Sequence, residues 1–154
     1  MNPAGWAPPE EAGLMLYHAA ICIRDVERSA RFYDSVLGVI GMRRVWDLTP
    51  DAVGYGIGRA EFWIQTPAHQ KSGNYSQHCH YAFACPDRDT LKRLFEAAME
   101  AGAKSEAEPA LVPEIRADYF GAMFQDLDGN KVEILVYREP EHSEDFSNRR
   151  KDDL

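Results

Sequence analysis

The chain has 154 residues, 45% of them hydrophobic and 27% charged, a balance typical of a globular protein with a buried core. Its formal net charge of −8 gives an acidic surface that repels nucleic-acid phosphates and anionic lipids. We therefore expect neither nucleic acid nor a membrane as a partner, and no apolar run approaches the roughly 20 residues of a membrane span.

Residues 1–13 form a predicted N-terminal arm. This segment (MNPAGWAPPEEAG) contains three prolines, shows no hydrophobic periodicity and lacks the charged and apolar regions of a secretory signal. The cysteines that follow, Cys22, Cys79 and Cys85, are odd in number and have no CxxC spacing. They favour reduced, buried side chains over a disulfide framework or zinc knuckle, and so predict a cytoplasmic protein.

Residues 14–66 are predicted to form one strand, one helix and three more strands. The mostly apolar stretch 15–23 (MLYHAAICI) is short enough for a buried strand. A helix follows, with Asp25 at its N-cap, apolar residues at helical spacing and Gly38 at its C-cap. Three short strands are predicted at about 41–46, 52–57 and 60–65, separated by turn-prone residues.

The same order of elements returns after a polar, glycine-bearing linker at 67–76. A second unit, residues 77–138, has a strand-like HCHYAFAC, an amphipathic helix in PDRDTLKRLFEAAMEAG, and strands near 105–111, 118–125 and 131–137. Residues 139–154 are charged and nearly free of aliphatic side chains, which predicts a mobile or partner-dependent tail.

The sequences of the two units can be aligned by starting at His18 in the first and His80 in the second. Asp25 follows His18 by seven residues, and Asp87 follows His80 by the same interval, at the predicted junction of strand and helix. This shared spacing and the shared order of elements indicate a duplicated βαβββ unit, although sequence identity between the halves is low. The fold class is therefore α+β.

Three side chains suggest a metal site. His18 and His80 occupy equivalent places in apolar strands, and Glu133 interrupts the last strand, where Val132 and Ile134 face the opposite way. A carboxylate within an aliphatic strand is costly to bury without a partner, and two imidazoles with one carboxylate suit Fe(II), Mn(II), Ni(II) or Zn(II). The alternatives are hydrogen-bonded core histidines and a solvent-facing glutamate.

Three segments resemble one known family. They are YHAAICIRDVERSARFYDSVLG (17–38), HYAFACPDRDTLKRLFEAAMEAG (80–102) and DYFGAMFQDLDGNKVEILVY (118–137). The chain resembles, from about residue 14 to 138, the vicinal oxygen chelate superfamily of glyoxalases, bleomycin-resistance proteins and extradiol dioxygenases. The third segment is the most specific, with its aromatic-rich strand, its turn and its strand bearing Glu133.

The resemblance implies two βαβββ modules that form a half-open mixed β-barrel with the helices outside. By position, it assigns His18, His80 and Glu133 as ligands of a divalent metal, and it implies a homodimer. The residues themselves predict a tight hairpin turn in DLDGN (126–130), with Gly129 at positive φ, and this turn sets the register that aims Glu133 inward.

The resemblance also discriminates between reactions. In glyoxalase I enzymes a fourth metal ligand lies at the position of Trp63. Glu61 lies on the same face of the strand and is our candidate catalytic base. The alternative is that Glu61 is simply a charged residue at a strand start. Extradiol enzymes usually carry a tyrosine where this chain has Met123, and a histidine near Ile115. Fosfomycin-resistance transferases carry a threonine where this chain has Ala20. Each departure weighs against that branch.

Three further residues are candidates for contact with the substrate. Tyr119 is predicted to point its phenol toward the metal as a catalytic residue, Arg116 to pair with a substrate carboxylate, and Trp63 to form a wall of the cavity. The alternatives are a core aromatic for Tyr119 and a solvated loop cation for Arg116.

Two functions follow from these observations. The first is a metal-dependent glyoxalase-like enzyme, of the lyase, isomerase or dioxygenase type, that chelates vicinal oxygens of a small-molecule substrate. The second is a binding protein of the bleomycin-resistance type, which sequesters a ligand without a metal and for which the acidic charge would suit a cationic drug. The intact set of two histidines and one glutamate favours the enzyme.

Overall fold

The structure is a computed structural model that describes residues 16–70 and 78–136. The predicted N-terminal arm, the C-terminal tail and the greater part of the predicted linker lie outside the described residues. Pro67–Gln70, where the linker was predicted to begin, forms a one-turn helix, α2. Among the described residues, no helix is long and apolar enough to cross a membrane.

The first module is a four-stranded mixed sheet with one helix. Its elements are β1 (Ala19–Cys22), α1 (Val26–Gly38), β2 (Arg43–Leu48), β3 (Ala52–Gly56) and β4 (Phe62–Gln65). The strand order is β1-β4-β3-β2, in which β1 runs parallel to β4 and the other neighbours are antiparallel.

The second module repeats this arrangement. Its elements are β5 (His80–Cys85), α3 (Arg88–Glu100), β6 (Lys104–Leu111), β7 (Phe120–Gln125) and β8 (Lys131–Val136). The order β5-β8-β7-β6, again with one parallel pair, is that of the first sheet. The predicted α+β fold with two βαβββ modules is confirmed, and the sheets do not close, so the barrel is half-open.

Both long helices begin at the predicted aspartates. The Asp25 carboxylate accepts a hydrogen bond from the Arg28 backbone N–H at 2.9 Å, and the Asp87 carboxylate accepts one from the Thr90 N–H at 2.7 Å. Each bond satisfies a backbone donor that the first helical turn leaves unpaired. The prediction that Gly38 is the C-cap of α1 was wrong, because Gly38 is still helical, the C-cap is Val39, and the first positive φ after the helix is at Gly41.

One hydrophobic core lies under the helices of both modules. The Phe62 ring of the first sheet packs at 5.2 Å from Tyr33 of α1 and at 5.0 Å from Tyr81 of the second sheet. In β8 the buried side chains alternate with half-buried ones, because one face meets α3 and none of the described helices covers the other. Each sheet therefore has a core face and an open face.

The turn between β7 and β8 has the predicted form. Gly129 has φ of 86°, a conformation that strains residues with a Cβ. The Asp126 carboxylate accepts hydrogen bonds from the backbone N–H groups of Asp128 and Asn130 and from the Asn130 side chain. These bonds close the turn from within and determine where β8 begins.

The same turn is the docking point of the first module. The Tyr33 hydroxyl donates to Asp126 Oδ2 at 2.6 Å and also meets the Tyr81 hydroxyl, and burial raises the pKa of Tyr33 well above its ordinary value. Asp128 accepts from Arg24 Nε at 2.8 Å and from the Ser29 hydroxyl at 3.1 Å. Burial acts to raise the pKa of Asp128, but these bonds outweigh it and lower the pKa.

Replacing Tyr33 by Phe tests this docking. The substitution keeps the ring in the core and removes the hydroxyl that binds Asp126, so we expect the free energy of unfolding to fall by about 1–2 kcal/mol. Urea denaturation at pH 7 measures the change. The exposed Tyr17 is the matched control, and Tyr17→Phe should change stability by less than about 0.5 kcal/mol. Equal effects of the two variants would contradict the docking role.

Candidate metal and ligand site

The open face of the second sheet brings two predicted ligands together. His80 is the first residue of β5, and Glu133 lies on the neighbouring β8, paired in register with Ala82. The Nε2 atom of His80 is 3.1 Å from Oε2 of Glu133. Half of the imidazole surface remains exposed, so the pair is accessible from solvent.

Tyr119 holds the other oxygen of the same carboxylate. Its hydroxyl donates a hydrogen bond to Glu133 Oε1, and the residue is almost fully buried. Burial first, and this hydrogen bond second, raise the pKa of Tyr119 above its ordinary value. The two oxygens of Glu133 thus have separate partners, a phenol on one side and an imidazole on the other.

A glycine makes room for this contact. A Cβ placed on Gly121 would lie 2.7 Å from the Tyr119 ring and 2.8 Å from its hydroxyl oxygen. The ring folds back over a backbone position that has no side chain, and this brings the phenol within reach of Glu133. Sequence reasoning missed this requirement, since a glycine within a strand indicates a close approach without naming the partner.

His18 lies on the first module, apart from this pair. The prediction of a strand over 15–23, which places His18 near its centre, was wrong at its start, because β1 begins at Ala19 and His18 directly precedes it. Its side chain lines a cavity of about 410 Å³ on the open face of the first sheet, together with Trp63. Across residues 16–70 and 78–136, no three His, Cys, Asp or Glu side chains of one chain meet in a group that could hold a metal.

The register of the two sheets defines which positions are equivalent. Ala20, two residues after His18, pairs with Trp63, and Ala82, two residues after His80, pairs with Glu133. Trp63 therefore occupies in the first module the place of Glu133 in the second, which agrees with the sequence alignment. The first module carries an indole where the second carries a carboxylate.

Family comparison agrees with this architecture. Residues 16–134 match the model of the Glyoxalase/Bleomycin resistance protein/Dioxygenase superfamily, which covers most of the chain. The chain belongs to this superfamily. No curated protein sequence matches it significantly.

Several solved structures have the same fold. A glyoxalase/bleomycin resistance protein from Albidiferax ferrireducens T118 aligns with a TM-score of 0.66 and 25% identity, over 80% of this chain and 99% of that one. Lactoylglutathione lyase from Agrobacterium tumefaciens aligns with a TM-score of 0.62 and 18% identity, over 84% and 95%. TioX from Micromonospora sp. ML1 aligns with a TM-score of 0.62 and 14% identity, over 78% of this chain and 96% of that one.

The remaining predicted site residues already have ionic partners. The Glu61 carboxylate lies 3.3 Å from Arg59 Nη2, at the start of β4. The Arg116 guanidinium lies 2.5 Å from the Asp118 carboxylate, in the turn between β6 and β7. Among the described hydrogen bonds and ion pairs, neither Glu61 nor Arg116 contacts His80 or Glu133. Their predicted roles therefore require each to separate from its present ionic partner.

The cavity beside His18 contains residues that sequence reasoning did not select. Trp46 of β2 is 59% exposed there, and His69 of α2 reaches the same space. The Arg59 guanidinium lies over the Tyr17 ring, 4.5 Å from its centroid. A solvent-exposed tryptophan on an edge strand is a signal for a binding surface, but the strand pattern alone does not identify its neighbours.

Substituting Gly121 tests the close approach of Tyr119. Gly121→Ala introduces a Cβ that the ring has to avoid, so we expect a loss of about 1–3 kcal/mol in unfolding free energy. In a Tyr119→Ala background the same substitution should cost less than about 0.5 kcal/mol, because the clash is gone. Chemical denaturation of the wild type, the two single variants and the double variant gives the coupling energy between Gly121 and Tyr119.

The control for this cycle is Gly58→Ala, where an added Cβ meets nothing within 4 Å. Its effect should be the same with and without Tyr119. Additive effects of Gly121→Ala and Tyr119→Ala would show that the two residues do not depend on each other.

Proposed function

We propose that the protein is a metal-dependent enzyme of the superfamily that binds two adjacent oxygens of a small substrate through one divalent metal ion. The observation that supports this most directly is the distance of 3.1 Å between His80 Nε2 and Glu133 Oε2. Two donor atoms so close together fit two ligands of one ion, since metal bonds to imidazole and carboxylate are about 2.0–2.2 Å long.

Tyr119 has a positioning role in this proposal. Its hydroxyl binds Glu133 Oε1 and leaves Oε2 directed at His80, so the carboxylate is oriented before a metal arrives. Such outer partners of a metal ligand set its orientation and its basicity. Tyr119 was predicted to act on the substrate, whereas here it acts through Glu133.

The third ligand in this proposal is His18 of a second protomer. Within one chain, His18 lies on the open face of a different sheet from His80 and Glu133. The two open faces have the same strand order, so a homodimer that packs a first module against a second module brings three donors together twice. Exposed Leu48, Ile57 and Leu111 supply apolar surface for such a contact.

A bound divalent metal would act as a Lewis acid that stabilises negative charge on the chelated substrate oxygens. Two histidines and one carboxylate are a donor set for Fe, Mn, Ni or Zn. The Glu61 carboxylate is the proposed base, once it leaves Arg59, and Arg116 is the proposed partner of a substrate carboxylate. The reaction is of the lyase, isomerase or dioxygenase type.

Trp63 directs the proposal away from lactoylglutathione lyase. An indole has no lone pair to offer a metal, and it stands at the place where glyoxalase I enzymes carry their fourth ligand. The likeness to the Agrobacterium enzyme, at 18% identity, concerns the fold. We therefore propose a three-ligand site, with its remaining positions open to substrate.

A ligand-sequestering protein is the second candidate, and the aromatic lining of the cavity beside His18 favours it. Trp46 and Trp63 offer a flat apolar surface that binds a ring without help from a metal. Metal dependence of binding distinguishes the two candidates. The three cysteines are odd in number and have no CxxC spacing, which favours a reducing compartment, so we also propose the cytoplasm as the location.

Metal analysis of protein purified without a tag and reconstituted with Fe, Mn, Ni or Zn tests the enzyme proposal. We expect about one metal per chain, and His80→Ala should lower metal affinity by at least about tenfold because one of the three ligands is lost. His78→Asn is the matched control, since His78 has φ of 64°, which asparagine tolerates, and lies outside the donor set. Absence of bound metal after reconstitution would favour the sequestering protein.

Mixing two inactive variants tests whether the site is shared between protomers. His18→Ala and His80→Ala chains each lose one ligand, but a mixed dimer keeps one complete site, made of His18 from one chain and His80 with Glu133 from the other. We expect mixing and subunit exchange to restore about a quarter of the wild-type metal sites at equal chain ratios. No recovery, with exchange verified by mass spectrometry, would show that His18 of one chain does not complete the site of the other.

A further inference from the structure

We propose that the cavity on the first module binds a planar aromatic ring of the substrate, next to the oxygens that the metal binds. This inference rests on the proposed function for the position of the metal, and it adds the class of substrate. The cavity has a volume of about 410 Å³, within the range of pockets that hold small organic molecules.

The first wall of the cavity is an indole that the sheet holds flat. A Cβ on Gly54, which pairs with Trp63 across β3 and β4, would lie 2.9 Å from two atoms of the indole. One side of the Trp63 ring system therefore rests on bare backbone. A ring supported in this way loses little conformational freedom when a ligand stacks on it, which lowers the entropic cost of binding.

The second wall is a stacked pair near the start of β1. The Arg59 guanidinium lies over the Tyr17 ring and donates to the Tyr17 carbonyl, while Glu61 balances its charge. This wall is flat, and it is close to electrically neutral while Glu61 pairs with Arg59, before a substrate binds. It suits an uncharged ring better than a cationic drug, for which an unpaired carboxylate would be the expected partner.

Trp46 completes the lining from the edge strand β2. It is 59% exposed. Leaving so large an apolar side chain in water forgoes the free energy gained by burying it, so an exposed tryptophan is a candidate for ligand contact. The polar residues that line the cavity include Gln65, His18 and His69. A lining of aromatic side chains with a few polar groups suits an aromatic ring with oxygen substituents.

The contrast between the modules explains the division of the site. At equivalent positions the second module has Glu133, whose carboxylate would bind a metal ion, and the first has Trp63, whose indole would stack on an aromatic ring. His18 lines the aromatic cavity and is also the proposed third ligand, so a ring in the cavity lies beside the metal. The substrate class is therefore an aromatic ring that carries, or is attached to, two adjacent oxygens.

Three hydroxamates that share one chelating head test this proposal on the metal-loaded full-length chain. Acetohydroxamate has no ring, cyclohexanecarbohydroxamate has a puckered ring, and benzohydroxamate has a planar ring. By calorimetry we expect benzohydroxamate to bind at least about tenfold more tightly than either of the others, because only its ring stacks on the indole.

The variants Trp63→Leu and Trp46→Leu assign the preference to the cavity. Each should reduce the advantage of benzohydroxamate to about threefold or less and leave acetohydroxamate affinity unchanged. Trp46 is exposed, so its replacement does not threaten the fold. Ile115→Ala is the matched control, since Ile115 is 53% exposed and does not line the cavity. A wild-type preference below about threefold, or one that both tryptophan variants retain, would overturn the proposal.

The same titrations on metal-free protein separate this inference from the proposed function. If metal does not strengthen the binding of any hydroxamate, the proposed function fails. The aromatic cavity is then supported if benzohydroxamate binds saturably to metal-free protein and Trp63→Leu weakens that binding by about tenfold. It is refuted if benzohydroxamate binds no better than acetohydroxamate there.

Discussion

The turn between β7 and β8 joins the two modules of this protein. Asp126 closes the turn with one oxygen and accepts the Tyr33 hydroxyl of α1 with the other, and Asp128 binds Arg24 and Ser29 at the start of the same helix. Both carboxylates are largely buried, so the Tyr33–Asp126 hydrogen bond contributes more than a surface ion pair, whereas the Arg24 side chain that binds Asp128 is 76% exposed. They align the two sheets and determine the start of the strand that carries Glu133.

The docking of α1 on this turn has a consequence for the chemistry. The core faces of both sheets pack into a single hydrophobic core, so a ligand that contacts either sheet binds on its open face. His80 and Glu133 lie on one open face, and His18 and Trp63 line the other. A duplicated fold therefore presents two equivalent surfaces of different chemistry.

Glycines in the strands beside these surfaces allow that difference. Gly121 leaves space for the phenol that holds Glu133, and Gly54 leaves space under the indole of Trp63. In each case a large aromatic side chain lies over the backbone of a neighbouring residue. The cost of a glycine in a strand is offset by a rigidly held ring, which is the kind of support that a preorganised site needs.

Much of the fold was predictable because its signals are local. Asp25 and Asp87 cap their helices through backbone groups three residues away, and the turn at Gly129 requires a conformation that only a few residues tolerate. The alternation along β8 follows from the period of two in any strand. The repeat itself was visible from the spacing of matching residues in the two halves.

The sequence by itself determined the two-module architecture and the superfamily, since these depend on short-range patterns, and it supplied the candidate site residues. The tertiary structure decided that His80 and Glu133 meet, that Tyr119 joins them, and that His18 belongs to a separate aromatic cavity. These contacts depend on sheet register and on the docking of one module against the other. Both are set by packing between residues far apart in the chain, and no local pattern encodes them.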